Sequence, residues 1–322
     1  MQDLKKRPYN HILVTGGAGY IGSVLVQRLM EVGYKVTVVD NLTFGNNIEH
    51  LTGVTLYERD ALDLDPEWLN NVDAVIHLAS VANDPCCELN PKLTWEISAL
   101  ATMQLIEQAL RHNAKQFIYA SSGSVYGVND AEKVTEELEL NPISDYNKTK
   151  MVTERVLLSY QDQIGIQIVR PATVCGPSPR MRLDVSVNMM TMQALTNKMM
   201  TVFGGDQVRP NIHIDDITDL YLFLLEHKNI TGIYNAGFEN LSILAIAQLV
   251  QKYVKADIKI TPSNDPRSYR LCADKLLKTD FRPKKTVENA IQEMVAQFQS
   301  GFLKNEERFY NLKTMKNTGV GV

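Results

Sequence analysis

The chain has 322 residues, 44% of them hydrophobic and 22% charged, with a formal net charge of −4. That length supports one large domain or two small ones with a sizeable core, and the composition excludes an intrinsically disordered chain. The charge lacks the basic excess of a nucleic-acid binder, and no run reaches the ~18 apolar residues of a membrane span.

The N-terminal MQDLKKRPYN carries charge but no apolar stretch, so no signal peptide is expected. Residues 11–15 (HILVT) are short and apolar and read as a buried strand; apolar spacing over 20–32 reads as a helix. Strands are expected at 35–39, 54–58, 73–79, 116–121 and 166–170, and helices over about 91–112 and 145–161. This alternation predicts an α/β fold, a doubly wound parallel sheet whose ligand crevice lies at the carboxyl ends of the strands. Beyond residue 171 prolines and glycines cluster, helices are expected near 216–227 and 242–254, and GIYNAG between them reads as a strand. The chain therefore divides into a dinucleotide-binding domain over 1–171, with later segments returning to it, and a smaller substrate lobe over 172–303. Residues 304–322 read as a polar, loosely held tail. The four cysteines, Cys86, Cys87, Cys175 and Cys272, show no C-x-x-C or zinc spacing and read as reduced thiols of a cytosolic protein.

Residues 15–23, TGGAGYIGS, place Gly16, Gly19 and Gly22 between the first strand and the first helix. Gly16 permits the tight turn, Gly19 lets the backbone approach a pyrophosphate, and Gly22 lets the helix pack on the sheet. The helix N-terminus then offers N–H groups to the phosphates. Asp40 ends the second strand, where its carboxylate suits ribose hydroxyls and repels a 2′-phosphate, favouring NAD over NADP. Asp60, after the third strand, could meet the adenine edge.

Tyr146 and Lys150, in YNKTK, stand at i and i+4 and share a helix face. A nearby ammonium lowers a phenol pKa, the tuning a general base needs. Ser122, in ASSGSVYG (120–127), lies at a strand end facing the same crevice. With TGGAGYIGS, Asp40 and RPNIHIDD in this order, the chain resembles the extended short-chain dehydrogenase/reductases, within them the nucleotide-sugar epimerase/dehydratase group. The resemblance covers about residues 10–290. It implies a Rossmann-type domain with tightly bound NAD and a nucleotide-diphosphate sugar substrate. It also implies a homodimer made through a four-helix bundle, to which the helices near 91–112 and 145–161 contribute. Ser122, Tyr146 and Lys150 would be the catalytic set. The cofactor set would include Tyr20, Ile21, Asn41, Ala61, Leu78 and Ala79 besides the glycines, Asp40, Asp60, Tyr146 and Lys150.

The same resemblance implies oxidation of a sugar hydroxyl, usually at C4, and no metal. Relatives that dehydrate the ketone carry Asp-Glu after the catalytic hydroxyl. Here those positions are Gly123 and Ser124, which argues against a 4,6-dehydratase. A 4-epimerase is the main expectation. A 4-dehydrogenase, acting for example on a GDP-heptose, is the alternative, and a non-catalytic NAD-binding sensor is a third. Arginine forks suit the substrate pyrophosphate: Arg209, Arg180, Arg182, Arg267 and Arg270 are candidates. Val81, Ser122, Gly123, Ser124 and Thr173 complete the expected substrate set. His213 with Asp215 and Asp216 reads as structural, Asp216 capping a helix; the adjacent Cys86 and Cys87 read as packing.

Overall fold

The computed structural model describes residues 7–129, 131–263 and 268–319. In chain order the strands are β1 (His11–Thr15), β2 (Lys35–Asp40), β3 (Thr55–Glu58), β4 (Ala74–His77), β5 (Gln116–Ala120) and β6 (Gly165–Pro171). They are followed by β7 (Thr173–Cys175), β8 (Met199–Phe203), β9 (Val208–His213), β10 (Gly232–Ala236), β11 (Glu239–Ser242) and β12 (Asp257–Thr261). Seven of them form one parallel sheet in the order β10-β6-β5-β4-β1-β2-β3. The reversal of direction at β1 makes it doubly wound, as the alternating pattern required, and opens the crevice beyond β1 and β4.

Strand alternation divides the core between two faces. Ile12 and Val14 of β1 pack with Leu25, Val26 and Leu29 of the Tyr20–Glu31 helix and with Ile217, Leu220 and Leu224 of the Ile214–Glu226 helix. Leu13 points the other way, toward Leu105, Ile106 and Leu157 of the Ala101–Arg111 and Asp145–Leu158 helices. The helix expected over 91–112 is a series: Pro91–Trp95, a π-helical turn Glu96–Leu100, then Ala101–Arg111. The buried Ser98 sits in that turn, its carbonyl accepting hydrogen bonds from Thr102 and Thr153 at 3.0 and 2.9 Å.

A second core lies in the later half, where the Ser186–Asn197, Ile243–Gln251 and Val287–Gln299 helices bury Met190, Ile246 and Ile291 against Met200 and Val202 of β8. The β11-β9-β7 sheet and the parallel β12-β8 pair flank it. The closing segment departs from the expected loose tail. Asn311–Thr318 is helical, and Asn311 and Met315 are buried against the body of the protein. Leu312 and Met315, at i and i+3, give that helix an apolar edge that packs with Val81, Cys86 and Cys87. No helix among the described residues is long and apolar enough to cross a membrane.

Candidate active site

The glycine turn is shaped by close packing. Gly16 adopts φ +72°, and a Cβ there would meet Ala79 N at 2.8 Å. A Cβ on Gly22 would lie 2.3 Å from Gly16 O, so the helix can approach the turn only through glycine. Gly19 precedes the helix without a side-chain cap, leaving the first-turn N–H groups for an anion. The crevice beyond is walled by Gly16, Gly19, Tyr20, Ile21, Gly22, Asp40, Asn41, Asp60, Ala61, Leu78 and Ala79, which brings the expected cofactor residues of the first four strands together. Tyr20 contributes only its backbone edge to the turn's function, because its hydroxyl is buried and donates to Gly176 O at 2.7 Å.

Asp40 accepts from Ala18 N at 3.0 Å and Leu42 N at 2.9 Å. Burial pushes its carboxyl up, while these two N–H groups and the Arg180 charge pull it back. Asp60 accepts from Asn41 Nδ2 at 3.0 Å at the rim.

Three expected substrate residues also line this crevice: Val81 and Arg180, which are not walls of the second cleft beside it, and Arg182, which the two share. Arg180 is almost fully buried, its guanidinium 4.2 Å from the Phe44 ring centroid and donating to Asn311 Oδ1 at 2.5 Å. Burial lowers its pKa to about 10. The proline-bounded loop places it there by packing against the C-terminal helix, a contact 131 residues away in sequence. Phe44, Asn311 and Met315 therefore join the crevice wall without having been expected there.

Ser144 caps the Asp145–Leu158 helix by accepting from Asn147 N at 3.2 Å. Tyr146 and Lys150 follow one turn apart. Lys150 Nζ donates to Ala120 O at 2.7 Å and lies 5.8 Å from the Tyr146 ring centroid. Ser122, just past β5, is near enough to the Tyr146 phenol to pull its pKa down, and its oxygen is 2.7 Å from Ser124 Oγ. Ser124 in turn donates to Asn147 Oδ1. A buried pair fixes this helix on the sheet: Arg170 of β6 donates from Nε and Nη2 to the two oxygens of Glu154, at 2.9 and 2.6 Å, and Ser121 donates to the same carboxylate.

The electrostatics correct one expectation. Lys150 does not bring the phenol down. Burial dominates and pushes Tyr146 up to about 12, with the Ser122 hydrogen bond and the Arg182 charge pulling it back and Cys87 and Asp84 opposing them. The ammonium is itself desolvated, and burial lowers Lys150 to about 8. The thiols of Cys86 and Cys87 are buried, which raises them to about 11 and about 12, values of packing groups rather than nucleophiles.

A second cleft opens beside the first. Asn83, Asp84, Ser124, Thr173, Arg182, Asp184, Met190, Phe203, Arg209 and Tyr269 are among its walls. Of the expected substrate residues it gathers Ser124, Thr173, Arg182 and Arg209. Gly123 is not one of its walls: it is buried, and a Cβ there would lie 3.2 Å from Pro171 O and 3.3 Å from Leu271. Arg270 is not one either. Arg270 is exposed, between the buried Tyr269 and Leu271. Arg267 lies outside the described residues. His213 is buried; its Nδ1 accepts from Asp215 N, so its Nε2 carries the proton toward Glu293 at 3.1 Å. His213, not Asp216, thus caps the Ile214–Glu226 helix, and Asp216 instead accepts from the backbone of Lys284 and Lys285. Lys285 Nζ, 2.6 Å from Glu293 Oε1, already balances these carboxylates.

A glycine turn and an acidic strand end around one crevice, with a Ser-Tyr-Lys set whose lysine bonds the crevice's Ala120 wall, are the frame of a known family, and the model of the NAD dependent epimerase/dehydratase family matches residues 12–237. The chain belongs to that family. UDP-glucuronic acid decarboxylase 1 of Xenopus tropicalis is 32% identical over 262 residues, 78% of this chain; the chain spans 62% of that protein's length. UDP-glucose 4-epimerase of Bacillus subtilis is 30% identical over 275 residues, 75% of this chain and 81% of that protein. Among solved structures, UDP-glucuronic acid 4-epimerase from Bacillus cereus in complex with UDP-glucuronic acid and NAD has a TM-score of 0.80 at 29% identity, covering 90% of this chain and 99% of that one. The family is NAD-dependent, and the open first-turn N–H groups, the glycine cradle and Asp40 of the first crevice fit that cofactor.

Proposed function

We propose that the protein is an NAD-dependent 4-epimerase of a nucleotide-diphosphate sugar. The observation that carries this reading is the grouping of Ser122, Tyr146 and Lys150 at the end of β5, where Lys150 bonds Ala120 of the dinucleotide crevice and Ser122 bonds Ser124 of the second cleft, which also holds Arg182 and Arg209. Tyr146 takes the proton of the C4 hydroxyl as the base, and Ser122 donates to the sugar oxygen and holds it in line. Lys150, anchored on Ala120 O, positions the phenol and reaches the cofactor ribose. When bound in the first crevice, NAD would supply the reversible hydride acceptor that removal and return of hydrogen at C4 require. Arg182 and Arg209 engage the sugar-nucleotide pyrophosphate.

Dehydration of the ketone would need a carboxylic acid next to Ser122. Gly123 has no room for one, and Ser124 is committed to Asn147. Leu100 and Met103, exposed on the 96–111 stretch, support the pairing of two copies through a four-helix bundle. The four buried free thiols support a cytosolic setting.

The test is turnover of UDP-, GDP-, CDP- and dTDP-sugars by the NAD-loaded protein, with products resolved by NMR. Inversion at C4 without net NADH is the expected result, and Tyr146→Phe should reduce it by about 10²- to 10⁴-fold. Stoichiometric release of a 4-keto sugar would replace the epimerase with a dehydrogenase, and full activity of Tyr146→Phe would overturn the mechanism.

A further inference from the structure

We infer that Asn147 and Ser124 are positioning residues for the reaction: they set the direction of the Ser122 proton, which is held within the protein in the structure and released toward the substrate when the Asn147 amide turns. This rests on the reading above, in which Ser122 and Tyr146 meet the sugar hydroxyl.

Asn147 departs from the usual use of its position. It is the third residue of the Asp145–Leu158 helix, where a side-chain oxygen can reach back to the backbone of the capping residue and close a reciprocal pair. Asn289 does this behind Thr286, accepting from Thr286 N at 2.9 Å. Asn147, behind Ser144, is fully buried, and its Oδ1 accepts instead from Ser124 Oγ. Its Nδ2 is buried without a partner among the described residues. A buried amide that forgoes its cap and leaves N–H groups unpaired costs stability; what it gains is a hold on Ser124.

Counting protons gives the direction of the remaining bonds. A serine hydroxyl has one proton to donate. Ser124 gives its own to Asn147, so the proton on the 2.7 Å bond between Ser122 and Ser124 belongs to Ser122. Ser124 N donates to Ser122 Oγ at 3.2 Å, so that oxygen both gives and accepts within the same turn. What Ser122 has left to offer the site is a lone pair and not a proton. That suits a neutral phenol, the form in which burial holds Tyr146. It does not suit a reaction in which Ser122 must donate to a sugar oxygen.

Turning the amide reverses every bond in the chain. Nδ2 gains the partner it lacks by donating to Ser124 Oγ, Ser124 donates to Ser122 Oγ, and the Ser122 proton is free for a sugar oxygen or a phenolate. The two arrangements differ in which end of one buried amide is unpaired, Nδ2 or Oδ1. A substrate oxygen that takes the Ser122 proton favours the second, because that bond forms only there.

The experiment is titration of Tyr146 in the NAD-loaded protein, read by carbon NMR after isotopic labelling of the tyrosine Cζ atoms. The resonance is identified by its loss in Tyr146→Phe. Ser124→Ala removes the acceptor of the Ser122 proton, and Asn147→Leu removes the acceptor of the Ser124 proton at similar volume. In each, Ser122 is free to donate to the phenolate, so the Tyr146 midpoint should fall by at least about one pH unit. Ser124→Thr keeps the hydroxyl and should restore the native midpoint. A midpoint unchanged or raised in Ser124→Ala would overturn the inference. A fall in Ser124→Ala without one in Asn147→Leu would refute the role of Asn147. If the native protein turns over no sugar nucleotide, the nucleotide-sugar function itself fails, a result distinct from either, since the titration reads the hydrogen-bond chain without a substrate.

Discussion

Replacing Lys150 by methionine should make the NAD-free protein more stable at neutral pH and less stable at high pH. Lys150 is 3% exposed, and burial lowers it from 10.5 to about 8. The unfolded chain holds its proton up to about 10.5 while the folded protein gives it up near 8, so native stability rises with pH through that window. The shift corresponds to about 3 kcal/mol of penalty, fully present below pH 8 and relieved by about pH 10.5. Methionine fills a similar volume without a charge but leaves Ala120 O without its 2.7 Å donor, which costs about 1 kcal/mol. The balance is a gain of about 2 kcal/mol at pH 7 and a loss of about 1 kcal/mol near pH 10.5. Urea denaturation of both proteins at the two pH values reads the difference directly. A stability change of the same sign and size at both pH values would refute the claim that Lys150 is charged and strained in the folded site at neutral pH.

Three further outcomes are expected. Gly22→Ala should purify without dinucleotide because its Cβ falls 2.3 Å from Gly16 O; absorbance and enzymatic assay of NAD released from the variant and from the native protein compare the two. Glu154→Gln should lower stability by about 3–5 kcal/mol in urea denaturation, since it leaves the buried Arg170 charge without its carboxylate. Truncation after Tyr310 removes Asn311 from Arg180 and Met315 from the crevice wall and uncovers Val81, Cys86 and Cys87; it should weaken NAD roughly tenfold by calorimetry and also lower the thermal midpoint of the NAD-free protein.

Local pattern was enough for the frame of this protein. Apolar runs at 11–15, 35–39 and 116–121 could bury themselves only as central strands, and the glycine spacing after the first could serve only a tight turn at a helix start. Tyr146 and Lys150 were brought to one face by helical periodicity alone. What local pattern could not encode was where the loops come to rest and how burial shifts charge. Arg180 and Val81 lie in the dinucleotide crevice because the 311–318 helix docks there, a partner far along the chain with only Leu312 and Met315 to signal it. Tyr269 rather than Arg270 faces the second cleft, since Arg270 is turned out to solvent between two buried neighbours. The acid–base balance of Tyr146 and Lys150 reverses the simple expectation because desolvation, a property of the packed interior and not of spacing, outweighs the attraction between neighbours.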